Sequence, residues 1–298
     1  MWFLFAMITA LAWGGADLFY KKGSDKNDKY SHIKIAIVVG LVMGIHALIY
    51  YFAKGVELQI IDIVKYLPVS LLYISSMVVG YVGLRYLELS VSSPVQNASG
   101  GIVAVLCVIF FSIRLSSLEI IGVVLLTVGV IGIAVFDRNK VDMTLGDNKK
   151  YTISFIAIIF PLIYCLLDAL GTFADAIYLD ELELISEDAA LISYEITFFL
   201  AAAVSFIYLK IKKIKFNILR EKNKGIAAVL ETAGQFFYVY AMSANAVIVA
   251  PLIAAYSVFS VIFSRIFLKE KLKWKQYVVI GIVMAGIILL GIAEGISN

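Results

Sequence analysis

The feature that most constrains this chain is a series of apolar runs, each about twenty residues long, with short polar segments between them. Ten such runs lie near residues 2–20, 33–53, 65–87, 93–113, 117–136, 151–179, 188–209, 225–243, 246–268 and 276–294. About twenty apolar residues are what an α-helix needs to cross the hydrocarbon core of a bilayer. The sequence therefore predicts an all-α membrane protein with ten transmembrane helices.

The composition supports a membrane protein and argues against several other classes. Of the 298 residues, 62% are hydrophobic and only 16% are charged, which is far from the composition of soluble domains. The net charge of +3 is spread over loops, so we expect a lipid bilayer and no nucleic acid as partner. The first run lacks a cleavage signal and is followed by lysines, so we expect it to be retained.

No motif for catalysis, metal binding or nucleotide binding stands out. Cys107 and Cys165 lie inside apolar runs and have no Cys or His at the spacing of a metal site. No glycine-rich loop has phosphate-binding spacing, and no nucleophile motif is present. We therefore expect no cofactor, no bound metal and no catalytic residues.

A polar segment in the middle of the chain divides the ten runs into five and five. This segment, DRNKVDMTLGDNKK, covers residues 137–150. An odd number of helices in each half forces two copies into opposite orientations across the membrane. We therefore expect two inverted five-helix repeats, residues 1–136 and 151–298, joined by a linker over 137–150.

The first run of each half carries an aromatic residue followed four positions later by an aspartate. Placing Trp13 on Tyr164 brings Asp17 onto Asp168. The fourth and ninth runs also match, because each opens with small residues and a proline. Inverted repeats of this kind are a common transporter design, with the binding site where the repeats meet.

The basic residues predict the orientation of the chain. Of the 25 Lys and Arg residues, 22 lie in the loops after odd-numbered runs, and only Lys54, Lys65 and Arg114 follow even-numbered runs. Loops rich in Lys and Arg stay in the cytoplasm. We therefore expect the odd-numbered loops to be cytoplasmic and both termini to be extracytoplasmic.

Acidic residues, by contrast, occur inside the apolar runs or near their ends: Asp17, Asp168, Asp175, Glu195 and Glu231. A carboxylate at bilayer depth must be protonated, hydrated in a cavity or paired with a cation, because its desolvation is costly. Asp17 has an alternative, a surface ion pair with Lys21 one turn away. Structural hydrogen bonds are the alternative for Glu195 and Glu231, whereas Asp168 has no such partner in sequence.

Helical spacing places these acids beside aromatic and polar side chains. On the sixth run, for example, Tyr164, Asp168 and Thr172 recur every four residues, which aligns them on one face of a helix. Aromatic rings and carboxylates together stabilise a desolvated cation. The predicted substrate-binding residues are Trp13, Asp17, Asn97, Tyr164, Asp168, Thr172, Tyr194, Glu195, Glu231, Gln235, Tyr238 and Tyr256.

The fourth and ninth runs begin with small and helix-breaking residues, NASGG at 97–101 and APLIAAYS at 250–257. Small residues allow close helix packing, and proline leaves a gap in the helical hydrogen bonds, so we expect both helices to line a cavity. Asn97 and Ser99 are polar candidates there. For His46, in the second run, two hypotheses stay open: a proton relay, or a histidine hydrogen-bonded within the bundle.

The sequence resembles the drug/metabolite transporter superfamily and, within it, the ten-helix EamA-type transporters. The resemblance rests on LAWGGAD in the first run and on APLIAAYSVFSVIFSRIFLKEKLKWKQYVVIGIVMAGIILLG in the last two. It implies a ten-helix transporter fold in a bacterial cytoplasmic membrane. The first half departs from the family pattern, because FFSIRLSSLEIIG lacks a loop acid that matches Glu270.

The predicted function is secondary-active transport of a small organic cation or an amine-bearing metabolite by alternating access. A substrate gradient or proton exchange would drive it, since a carboxylate that holds either a proton or a cation couples the two. One alternative is an exporter of amino acids or neutral metabolites. A flippase for a lipid-linked head group is another, although it would need basic residues at membrane depth. An intramembrane enzyme is disfavoured, since the aspartates lack a neighbouring glycine motif.

Overall fold

The structure, a computed structural model, describes residues 1–25, 27–111, 115–137 and 147–297, and these ranges contain helices but no strands. Most of the predicted linker 137–150 lies outside them. The helices are α1 (Trp2–Gly23), α2 (Ser31–Lys54), α3 (Ile60–Gly83), α4 (Leu89–Gln96), α5 (Ser99–Phe110), α6 (Ser117–Asp137), α7 (Asp147–Asp175), α8 (Glu187–Ile211), α9 (Lys222–Ala254), α10 (Tyr256–Phe263) and α11 (Trp274–Ser297). Short π-helical segments, Ala176–Glu181 and Ser264–Leu268, extend α7 and α10, and a 3₁₀ turn covers Ile218–Arg220.

Eight helical segments in the described ranges are long and apolar enough to cross a membrane: Trp2–Gly23, Ser31–Lys54, Ile60–Gly83, Leu89–Phe110, Ile159–Glu181, Glu187–Ile211, Lys222–Leu268 and Trp274–Ile296. Large apolar side chains cover the outside of the bundle, for example Ile49, Phe52 and Ile211, which are 63%, 77% and 72% exposed. Such a surface is stable against lipid and not against water. The chain is therefore an integral membrane protein.

The segment Lys222–Leu268 differs from the sequence prediction, because it joins two predicted runs into 47 residues. As one straight helix it would be about 70 Å long, more than twice the thickness of the hydrocarbon core. Its backbone is broken at Asn245, where φ is −170° and ψ is 80°. The break divides the segment where the two predicted runs, 225–243 and 246–268, meet. The fifth predicted run, 117–136, forms the 21-residue helix α6 (Ser117–Asp137), which is not among the eight segments.

The segments NASGG (97–101) and APLIAAYS (250–257) both lie at breaks between helices near the centre of the bundle. Helix α4 ends at Gln96 and α5 begins at Ser99, while α9 ends at Ala254 and α10 begins at Tyr256. The two breaks face each other. A Cβ on Gly100 would lie only 2.4 Å from the Ala254 Cβ, so the glycine is required for this close approach.

The main helix contacts join the first part of the chain to the second. Helix α1 packs on α9, α3 on α7, α2 on α8, and α6 on α11, with further contacts of α3 with α8 and of α2 with α9. The centre of the bundle is thus built by helices from both parts. Any site enclosed there receives side chains from both.

The bundle has two distinguishable ends. At the first, α1 and α3 end and α9 begins, and Lys21 Nζ donates to the Leu84 carbonyl oxygen at 2.7 Å. Because Lys22 and Lys224 also lie here, we call it the basic end. At the opposite end, α2 ends and α8 begins, and the Tyr50 hydroxyl donates to Asp188 Oδ1 at 2.7 Å.

Candidate functional site

A cavity lies at the centre of the bundle and extends from its middle toward the basic end. Eleven of the twelve predicted substrate-binding residues line it: Trp13, Asp17, Asn97, Tyr164, Asp168, Thr172, Tyr194, Glu231, Gln235, Tyr238 and Tyr256. The twelfth, Glu195, is not among its lining residues. The centres of water-sized molecules can occupy about 70 Å³ of it. The cavity as it stands therefore suits a small ligand or a few waters.

Asp17 is held by serines from the two broken helices. The hydroxyls of Ser93 and Ser260 both donate to Asp17 Oδ2, at 2.6 and 2.7 Å. The aspartate is only 9% exposed, so it is not the surface residue that the alternative with Lys21 required. Lys21 lies further toward the basic end, where its Nζ donates to the carbonyl oxygens of Leu84 and Leu87.

Asp168, the counterpart of Asp17 on α7, has a similar environment. The Ser99 hydroxyl, at the start of α5, donates to Asp168 Oδ2 at 2.7 Å. One turn further along α7, the Thr172 hydroxyl lies 3.0 Å from the Tyr73 hydroxyl. The serine that sequence reasoning named as a polar candidate thus contacts an aspartate from the other part of the chain.

The aromatic residue that precedes each of these aspartates lies on a glycine of a facing helix. A Cβ on Gly234 of α9 would come within 2.4 Å of the Trp13 ring, and one on Gly80 of α3 within 2.7 Å of the Tyr164 ring. The Trp13 indole also donates to the backbone carbonyl of Glu231 at 3.2 Å. These glycines let each ring lie flat against its neighbouring helix and fix the wall of the cavity.

Glu231 brings a third carboxylate to the cavity. It is 8% exposed, and the Tyr20 hydroxyl donates weakly to its Oε2 at 3.4 Å. None of the described residues that line the cavity is a Lys or an Arg. Three acidic side chains thus face a small, largely buried space without a basic side chain in its wall.

Asp175, at the end of α7, lies outside the cavity and is fully buried by tyrosines. The hydroxyl of Tyr66 donates to its Oδ1, and those of Tyr73 and Tyr238 donate to its Oδ2 at 2.9 Å. Three charge-assisted hydrogen bonds offset part of the cost of burying a carboxylate. This tyrosine cluster lies between the cavity and the opposite end of the bundle.

Glu195 has a partner that sequence reasoning did not pair with it. Its side chain is fully buried, and its Oε1 and Oε2 lie 2.8 and 2.9 Å from His46 Nδ1. Neighbouring residues on a helix point about 100° apart, so Tyr194 faces the cavity while Glu195 faces α2. Glu195, a predicted substrate-binding residue, thus contacts His46 of α2 and not the cavity.

Helix α3 supplies more of the lining that sequence reasoning missed than any other helix does. Tyr73, Met77, Gly80 and Tyr81 all line the cavity, together with Tyr20 of α1. Tyr66, Tyr73 and Tyr81 are seven and eight residues apart, which is two turns of helix and places them near one face. That spacing was visible in the sequence, but the third run contains no acid to draw attention to it.

Comparison with known proteins identifies the family of the chain and its fold. The model of the EamA-like transporter family matches residues 1–135 and 184–292. No curated protein matches. A crystal structure of another protein aligns over 97% of this chain and 96% of its own, with a TM-score of 0.67 and 11% sequence identity. At this identity the likeness is one of fold alone.

Proposed function

Because the chain belongs to the EamA-like transporter family, we propose that it carries a small organic cation or an amine-bearing metabolite across the membrane. The family consists of membrane transporters, not enzymes. The observation that carries the proposal is the acidic, aromatic cavity at the centre of the bundle. In this proposal the two halves expose the cavity to each side of the membrane in turn. A substrate gradient or proton exchange drives the transport.

The charges of the cavity support a cationic ligand. Asp17, Asp168 and Glu231 line it, and no Lys or Arg is found among its described lining residues. Leaving such carboxylates ionised and unpaired in a bilayer-depth cavity is costly, so protons or cations must accompany them. The described hydrogen bonds to the two aspartates reach only Oδ2, which leaves each Oδ1 for a ligand.

The aromatic wall supports an organic cation over a strongly hydrated inorganic one. The Trp13 ring lies 5.2 Å from the Tyr238 ring and 5.8 Å from the Tyr256 ring, centre to centre, and Tyr164 also lines the cavity. Ring faces attract a cation but supply no ligands in place of its bound water, so they suit an organic cation better than a strongly hydrated metal ion. Among the described residues, no three His, Cys, Asp or Glu come close enough together to hold a metal ion.

The same wall disfavours a flippase. A lipid-linked head group would need a cation for its phosphate, and the described lining has no Lys or Arg. An amino acid stays an alternative cargo, because the side-chain amides of Gln96 and Gln235 in the lining lack a described partner and can donate to a carboxylate. Three acidic side chains against two such amides favour an amine whose other groups are neutral.

We also propose that the chain crosses the membrane ten times, as two inverted repeats over residues 1–136 and 151–298. The break at Asn245 supports two crossings within Lys222–Leu268, and Ser117–Asp137 supplies a further one. The packing supports the inversion. The contact of α1 with α9 has its counterpart in that of α7 with α3, and the contact of α2 with α9 in that of α8 with α3.

The contact of Trp13 with Gly234 likewise has its counterpart in the contact of Tyr164 with Gly80. In each pair, an aromatic residue on the first helix of one half contacts a glycine on the third helix of the other half. With the basic end facing the cytoplasm, both termini lie outside, in the cytoplasmic membrane of a bacterium.

A ligand screen with matched compounds tests the proposed substrate class. Purified protein would be heated with a panel of primary amines, each paired with the alcohol and the carboxylic acid of the same carbon skeleton. A ligand at a hundred times its dissociation constant stabilises the folded state by about 2.7 kcal/mol. We expect stabilisation by amines only. Stabilisation by the acids or alcohols, and not by the amines, would contradict the proposal.

A further inference from the structure

A second buried polar cluster lies outside the cavity, between α2 and α8. Its centre is the contact of His46 Nδ1 with both carboxylate oxygens of Glu195, at 2.8 and 2.9 Å. The Glu195 side chain is completely buried, whereas that of His46 is 30% exposed. One helix of the pair belongs to the first half of the chain and the other to the second. The contact therefore links the first half of the chain to the second.

Polar side chains connect this contact to the opposite end of the bundle. The His46 ring stacks on that of Tyr50, with 5.8 Å between ring centres. The hydroxyls of Tyr50 and Tyr240 both donate to Asp188 Oδ1, at 2.7 and 2.5 Å. Asp188 lies in the first turn of α8, seven residues before Glu195, or about 10 Å along the helix axis. A proton from this end thus has acceptor groups along most of the way.

The titratable groups around the pair come from every helix that packs there: Tyr50 on α2, Asp188 and Tyr194 on α8, Tyr240 on α9, and Tyr73 on α3 behind Tyr194. The one carboxylate in this set is Asp188. Tyr194, the neighbour of Glu195 in sequence, lines the cavity. Glu195 is therefore adjacent to the proposed substrate site but does not line it.

We propose that His46 and Glu195 form the proton-binding site of the carrier, separate from the cavity that binds the substrate. The inference rests on the proposed transport function. A neutral imidazole beside an ionised carboxylate has a net charge of −1, and one proton taken from water at the opposite end makes the pair neutral overall. The protonated pair holds α2 against α8, and its separation releases the proton to water at the other side of the membrane.

This arrangement differs from competition between a proton and a cation for one carboxylate. Protons and substrate would occupy different sites and would affect each other through the movement of α2 against α8. A merely structural ion pair would stay in one protonation state at all working pH values.

The test needs no substrate, so it fails independently of the proposed cargo. In lipid nanodiscs, ¹⁵N NMR of histidine-labelled protein follows both histidines, and a His32→Gln variant assigns the signals. We expect His46 to gain and lose one proton between pH 5 and 9. Glu195→Gln should change the proton affinity of His46 by about tenfold or more, which moves the midpoint of its titration by about one pH unit. Asp168→Asn, which changes a cavity carboxylate, should leave the midpoint within a few tenths of a unit.

Coupling to the cavity is measured on the same preparations. Cysteine placed at Thr172, with Cys107 and Cys165 changed to serine, reports opening of the cavity through its reaction with a water-soluble maleimide. The maleimide reacts with the thiolate, so each rate is divided by that of a free thiol at the same pH. We expect this normalised rate to depend on pH, and to lose that dependence when His46→Gln and Glu195→Gln are combined. A His46 signal that never titrates, or a pH-dependent normalised rate that survives the double change, would overturn the proposal. Melting temperatures identify variants that fail to fold.

Discussion

The Ser99 hydroxyl donates to the Asp168 carboxylate at 2.7 Å and so links a broken helix of the first half of the chain to the first helix of the second. On the other side of the cavity, Ser93 and Ser260 hold Asp17 in the same manner. Each aspartate keeps one oxygen directed away from these serines. The two aspartates are therefore held in place by serines of the two broken helices.

Adding a methyl group at Gly234 or Gly80 should destabilise the protein. The new Cβ would lie 2.4 Å from the Trp13 ring or 2.7 Å from the Tyr164 ring, closer than carbon atoms can approach. Overpacking of this kind costs about 1–3 kcal/mol. Gly281→Ala is the matched control, because no atom lies within 4 Å of its added Cβ. In thermal unfolding in detergent, the melting temperature of Gly281→Ala should equal or exceed that of wild type. Equal decreases in melting temperature for Gly234→Ala, Gly80→Ala and Gly281→Ala would contradict the described packing.

Removing the Tyr66 hydroxyl should destabilise the tyrosine cluster around Asp175. Tyr66→Phe leaves Asp175 Oδ1 without this donor inside a fully buried site, and such a loss costs about 1–3 kcal/mol. Tyr277→Phe is the control, since Tyr277 is 51% exposed on the outside of the bundle. The readout is the free energy of unfolding in a denaturant series. A stability equal to that of the control would show that the hydrogen bond contributes nothing.

Glu270 should hold the basic end of the bundle together. Its Oε1 and Oε2 accept hydrogen bonds from the backbone amides of Leu89 and Ser90, at 3.1 and 3.0 Å, where α4 begins. Loss of such a helix cap costs about 0.5–2 kcal/mol. Glu270→Ala should therefore speed hydrogen exchange of the first turn of α4. The first turn of α8, capped by Ser186, should keep its exchange rate; faster exchange in both would indicate global loosening instead.

Both termini should lie outside the cytoplasm. The 22 basic residues in odd-numbered loops fix this orientation if loop charge controls insertion. A reporter that is active only in the periplasm should work when fused after residue 298. A reporter that is active only in the cytoplasm should be inactive when fused at the same place. Activity of that reporter would show that the orientation is the opposite one.

Much of the cavity wall could be predicted because helical spacing is regular. Tyr164, Asp168 and Thr172 recur every four residues and so lie on one face of a helix, which predicts that they face the same space. In the structure all three line the cavity. The same reasoning brought Trp13 beside Asp17. The substrate role of these residues stays a prediction.

What could not be predicted depends on contacts between helices far apart in sequence. The pairing of His46 with Glu195 joins residues 149 positions apart, and no local pattern signals it. The tyrosines around Asp175 likewise come from distant segments, α3 and α9. Local sequence also placed Asp17 near a helix end, but the serines of α4 and α10 bury it there.

The central claim is that Asp168 binds a cation, and exchange in proteoliposomes tests it most directly. Vesicles loaded with an amine selected by the paired screen would be assayed for uptake of the labelled amine, with and without a pH gradient. Asp168→Asn should fold normally and lose exchange, because the amide keeps the shape of the side chain but not its charge. Ser99→Ala, which keeps the charge, should retain exchange. Equal exchange by wild type and Asp168→Asn would contradict the account.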